Sequence, residues 1–178
     1  MRKLIIFFVF SINSLSAQPY YTPLRAAVGV EAFGTAPQRQ VCTEVMFGYK
    51  SRSFLALQAG LGLYNISDYT TYSISAALTY NFLLNRYRKK ECQPHPGHNV
   101  LESYFEVGTS AFLFDKYVNV YFPPTDQQEQ ICPLALAGLR FHIVSTKWIY
   151  ILKIRYTPSL VDSKVASVGG VAVGFGWR

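Results

Sequence analysis

Bulky apolar positions alternate with small or polar ones along eight separate stretches of this chain, and turn-forming residues interrupt the alternation each time. The stretches lie at about 23–33, 41–50, 54–65, 71–83, 101–113, 131–143, 148–157 and 165–177. In the third, Leu55, Leu57, Ala59, Leu61 and Leu63 alternate with Ala56, Gln58, Gly60 and Gly62. In the fourth, Tyr72, Ile74, Ala76, Leu78, Tyr80 and Phe82 alternate with Ser73, Ser75, Ala77, Thr79 and Asn81. The last sets Trp177, Phe175, Val173 and Val171 against Gly176, Gly174, Ala172 and Gly170. Successive side chains of a strand point to opposite faces. Each stretch therefore predicts a strand with one greasy face and one face of small or polar groups.

The ionisable residues follow the same parity. Arg25, Glu31, Glu44, Glu106, Arg140, His142, Lys153 and Arg155 fall with the glycines and serines, while their neighbours are almost all apolar. A water-soluble ligand-carrying barrel has an apolar cavity and a charged exterior; here the distribution is reversed. Each stretch is close to the roughly 9 to 11 residues that a tilted strand needs to cross a bilayer, and the number of stretches is even. The predicted fold is all-β: an up-and-down antiparallel eight-stranded transmembrane β-barrel. The interior of such a barrel is just wide enough to be filled by side chains. Glu31, Glu44 and Glu106 are thus expected to pair with Arg140, Lys153, Arg155 or Arg25, because stripping a buried charge of its partner costs about 3–5 kcal/mol.

The first residues change the boundaries. Met1-Arg-Lys3, the apolar run Leu4 to Ile12 and the small-residue zone ending at Ala17 have the order of a secretory signal. The expected organisation is a cleaved segment, 1–17, and a barrel domain, 18–178. The run is shorter than the roughly 20 apolar residues of a spanning helix, and no later stretch is long enough, which excludes a helical membrane protein. Arg2 and Lys3 supply two of the chain's seven net positive charges, and the segment holds no acid, so +5 remains. That surplus is scattered rather than gathered in a stripe, which speaks against nucleic acid as a partner and leaves anionic lipid headgroups as the better one. The 13 Phe, 13 Tyr and 2 Trp suit interfacial girdles.

With the first strand starting on the periplasmic side, Ser51 to Ser53 and Ser145 to Lys147 are tight periplasmic turns, and 34–40, 66–70, 114–130 and 158–164 are outer loops. The stretch 84–100, long yet periplasmic, departs from this rule. In its signal-like start, its eight alternating segments and its closing Gly174-Phe-Gly-Trp-Arg178, the chain resembles the small OmpA/OmpX-like outer-membrane barrels of porin type. The resemblance implies a place in the outer membrane of a Gram-negative-type bacterium. It also implies that Phe175 and Trp177 are read by the barrel-assembly machinery, although Arg178 displaces the aromatic from the final position.

Other chemistry is sparser. Cys42 and Cys132 both face inward near the outer rim, on strands that lie across the barrel from each other, and could bridge only if their Cα atoms come within about 7 Å. Cys92, His95 and His98 place a thiol and two imidazoles at metal-competent spacing, one ligand short of a closed zinc site; no metal or other cofactor is expected. His142 and Ser145 are the one tempting base and nucleophile pair for lipid-modifying chemistry, but they fall on the lumen side and at the periplasmic end. Tyr117, Tyr121 and Phe122, beside Pro123-Pro124 in the longest outer loop, could hold an extracellular protein or glycan. The sequence thus favours a structural or surface-interaction barrel with outer-membrane lipid around it. A lipid-modifying enzyme and a narrow small-solute channel stay open beside it.

Overall fold

The computed structural model describes residues 24, 26–36, 39–50, 52–66, 69–85, 100–114, 131–145, 147–160 and 168–177. They form eight strands: β1 (Ala26–Ala32), β2 (Arg39–Lys50), β3 (Ser53–Ile66), β4 (Tyr69–Leu83), β5 (Val100–Phe114), β6 (Ile131–Val144), β7 (Trp148–Thr157) and β8 (Val168–Trp177). Each pairs antiparallel with the next, and β8 closes on β1. Followed once around the wall, the registers return to β1 about ten residues from the starting point. An even stagger is required for inward rows of β8 to meet inward rows of β1.

The alternation read from the sequence is the alternation of the wall. Leu57, Leu61, Leu63, Tyr72, Ile74, Leu78, Ile154, Val171 and Val173 are exposed on the outside, and their neighbours Gln58, Ser73, Ser75, Ala77, Thr79, Arg155 and Ala172 are buried inside. Aromatic side chains gather at the end that carries the β2–β3 and β6–β7 turns. Trp148 packs on Phe175 and Trp177 with ring centroids 6.0 and 5.6 Å apart, and Tyr80 packs edge-on against Phe82 at 4.4 Å. Phe175 and Trp177 are therefore outward members of an aromatic girdle at this turn end, the arrangement that suits a membrane interface.

Three features depart from the sequence expectation. β3 and β4 pair as far as Ile66↔Tyr69, so the predicted loop 66–70 is mostly strand; Ile66, Tyr69, Thr70 and Thr71 are all residue types that favour extended backbone. In β2 a register shift between Phe47 and Lys50, with Gly48 at φ 63°, makes a bulge next to the turn. β1 ends at Ala32, because Phe33 and Gly34 adopt left-handed backbone, φ 61° and 86°. This reversal folds Thr35 and Ala36 into the mouth of the barrel, where both are buried. Holding Phe33 in that region costs about 1–2 kcal/mol, which the bonds made by Thr35 offset. The expected signal segment 1–17, the long connections and residues such as Arg25, Cys92, His95, His98, Tyr117, Tyr121 and Phe122 lie outside the described residues.

The reversal needs room on β8. A Cβ at Gly170 would run into the backbone of Phe33 and Gly34, so Gly170→Val should push the tucked segment out and destabilise the barrel by about 1–3 kcal/mol. Urea unfolding in micelles should show the loss, with faster amide exchange at Thr35; wild-type exchange there would refute the packing.

Candidate functional site

The lumen is layered. At the turn end its floor is apolar: Leu24, Ala27, Met46, Phe54, Ala56, Tyr104, Val144, Ile149 and Ile151 form one buried cluster. Apart from Leu24, which precedes β1, these residues share the inward parity of the charges, Met46 two after Glu44 and Ile151 two before Lys153. The Tyr49 hydroxyl donates to the Leu24 carbonyl, fastening the residue just ahead of β1 to β2.

Above the floor lies the first ionic layer. Arg140, fully buried on β6, donates from Nη1 and Nη2 to both Glu44 oxygens, at 2.7 and 2.9 Å. Its guanidinium carbon stands 5.2 Å from the centre of the Phe54 ring, so the cation rests on the apolar floor. Lys153 Nζ on β7 donates to Glu44 Oε2 at 2.9 Å and to Gln58 Oε1 at 3.1 Å. Arg140 Nε donates to His142 Nε2 at 2.7 Å. An Nε2 that accepts must be unprotonated, which places the ring proton on Nδ1, 3.4 Å from Glu102 Oε2. Glu102 also accepts from the Tyr104 hydroxyl at 2.5 Å. Nε2 is taken up by the Arg140 bond and Nδ1 is buried facing Glu102 without a hydrogen bond, while Ser145 sits in the β6–β7 turn with its amide on the Trp148 carbonyl; the structure gives no bond between the two as base and nucleophile.

The second ionic layer is centred on Arg155. Its Nε and Nη2 grip Glu106 at 2.9 and 2.7 Å, and its Nη1 reaches both oxygens of Glu31 at 3.2 and 3.3 Å and Gln58 Oε1 at 2.9 Å. Gln58 joins the layers, since its oxygen accepts from Lys153 and Arg155 while its Nε2 donates to Glu31 at 2.7 Å. Gln40 Nε2 and Thr35 Oγ1 complete Glu31, each at 2.7 Å. Ser75 donates to Gln40 at 2.5 Å, and Thr157 donates to the Gly34 carbonyl at 2.9 Å. The tucked segment therefore caps the network at the loop end.

The predicted lumen residues Glu31, Glu44, Glu106, Arg140, Lys153 and Arg155 meet in one bonded system. Three acids were expected and a fourth, Glu102, is buried with them; the inward parity of Glu106 and Tyr104 identifies it. Thr35 could not be found that way, because it lies beyond the reversal at Phe33. Cys42 is a buried free thiol, so the bridge to Cys132 is not formed. Cys132 packs instead with Phe112 on the neighbouring β5 and with Leu134 of its own strand. Among the described residues no three metal-ligating side chains come together.

This geometry holds charges that answer one another across strands far apart in the chain, and it leaves the centre filled. Arg140→Ala strips Glu44 of its two-pronged partner and should cost about 3–5 kcal/mol in urea unfolding of the refolded barrel. Replacing Glu44, Arg140 and Lys153 together by Leu, Leu and Met should recover most of that loss. A triple variant as unstable as the single one would contradict charge pairing as the cause.

No protein-family model matches the chain, and no curated protein matches it in sequence. Among solved structures, the N-terminal β-barrel domain of Pseudomonas aeruginosa OprF aligns with a TM-score of 0.58 at 12% identity, covering 85% of this chain and 93% of that one. The outer membrane enzyme PagL aligns at a TM-score of 0.48 and 10% identity, over 85% of this chain and 97% of that one. Ail, the attachment invasion locus protein of Yersinia pestis, aligns at 0.45 and 10%, over 85% and 95%. With its closed antiparallel wall and its likeness to the OprF domain, the chain has the fold of the small eight-stranded outer-membrane β-barrels.

Proposed function

We propose that this protein resides in the outer membrane of a Gram-negative-type bacterium as a closed barrel whose loops act at the cell surface, in adhesion or recognition. The observation that carries this reading is the inversion of the wall: paired charges fill the centre while Leu, Ile, Val and aromatic side chains cover the outside. An exterior of this kind is stable against hydrocarbon and unstable against water. The bonded centre supports a support-and-display role over conduction, because an ion would have to break several charge-assisted bonds to pass. Recognition falls to the outer loops, where Tyr117, Tyr121 and Phe122 supply amphipathic contact groups. Outer-membrane lipid surrounds the wall, and Phe175 and Trp177 at the close of β8 suit a signal for the assembly machinery.

Two experiments test the reading. In planar bilayers the purified protein should give no steady current; a current that Arg140→Ala enlarges would favour the channel instead. Deleting 118–128 should leave assembly intact and abolish binding of cells to the protein or glycan surfaces that the parent strain holds. Undiminished binding would remove the recognition role from this loop.

A further inference from the structure

The outside of the barrel is not evenly convex. Across β8, β1, β2 and β3 the outward residues form rows set by the registers. The upper row, nearer the loop end, is Val171, Ala32, Arg39 and Leu63, and the next is Val173, Val30, Val41 and Leu61. Below them lies Phe175, Val28, Thr43 and Ala59. The two middle columns carry small side chains, Ala32, Val30, Val28 and Ala26 on β1 and Val41, Thr43 and Val45 on β2, between leucines on one side and Val171 to Phe175 on the other. The wall is therefore hollowed into a groove of about 910 Å³, lined by Val30, Val41, Leu61, Leu63, Val171 and Val173, with Phe33 and Arg39 at its upper edge. Glu31 and Gln40 also border it, but their side chains are bonded to each other, and Glu31 to Arg155, in the lumen. Among the described residues no carboxylate is paired with Arg39. It is an exposed cation at the top of an apolar trough, whereas the other cations on β6 and β7 are buried in the lumen and paired.

A guanidinium in that position suits a phosphate at the membrane interface, which it can bind through parallel N–H donors while its stem lies along the apolar rows. The volume lies near the top of the roughly 300–1,000 Å³ span of small-molecule sites, room for an acyl chain. We infer that this groove holds one anionic, phosphate-bearing lipid of the outer leaflet, its headgroup on Arg39 and a chain along Val30, Val41 and Val173. The inference rests on the membrane residence proposed above and adds to it a defined lipid site.

The test is native mass spectrometry of the full chain released from nanodiscs of mixed phosphatidylglycerol and phosphatidylcholine. The wild type should keep one phosphatidylglycerol with about tenfold preference, because the phosphate of phosphatidylcholine is already balanced by its own choline cation. R39Q should lose the preference, R39K should keep part of it, and V41W, which fills the trough, should retain less of both lipids. Equal preference in wild type and R39Q would overturn the site. So would displacement of the bound lipid by inorganic phosphate, since that would make it a site for a free anion. A chain that fails to enter the discs would count against membrane residence itself; one that enters and shows no preference counts against the groove alone.

Discussion

Closing eight strands into a barrel leaves an interior with space for side chains and little else, and every group turned inward must find its partner there. That constraint governs this molecule. The wall can carry charges inward only where the stagger between strands brings opposite signs together, as β6 and β7 bring Arg140 and Lys153 to Glu44 on β2. Arg155 ties β7 to Glu106 on β5 and Glu31 on β1 in the same way. Slipping one strand by a single residue would turn its charges to the outer face and its leucines into the lumen. The ionic network thus favours the observed register, because a slipped strand would leave the remaining charges without partners.

The layering of the lumen follows from the same space. Phe54, Tyr104 and Ile149 seal the turn end with apolar volume, and the Arg140 guanidinium rests on that floor. Polar amides and hydroxyls occupy the upper half, where Gln58 and Gln40 add donors to the Glu31 carboxylate that Arg155 also reaches. The short β1 serves both faces. Inside, its reversal at Phe33 delivers Thr35 to Glu31; outside, its row of small residues forms the floor of the groove beneath Arg39.

Much of this architecture was legible from alternation, because the period-two pattern is the direct imprint of a wall with unlike faces. The strand count, the outward leucines of β3 and the inward placement of Glu44, Arg140 and Arg155 all come from parity alone. Partners were not legible to the same degree. Parity says that Glu31 faces in, but only the stagger of eight strands says that Arg155 meets it. Glu102 shares the inward parity of Glu106 and is legible in the same way. Thr35 was unreadable, since its position depends on left-handed backbone at Phe33, a residue type that rarely adopts it. The extent of β3 and β4 was underestimated because polar residues near a strand end resemble a loop in sequence.

The account stands on which side of the wall meets lipid. Methyl-labelled protein in nanodiscs with protonated acyl chains, followed by nuclear Overhauser contacts, reads this directly and without substitutions. Methyls of Leu57, Leu61, Ile74, Leu78, Ile154 and Val173 should show contacts to the chains, and those of Ala56, Ala77, Leu136, Ile151 and Ala172 should show none. Chain contacts from the second group, or water contacts in place of lipid from the first, would contradict it.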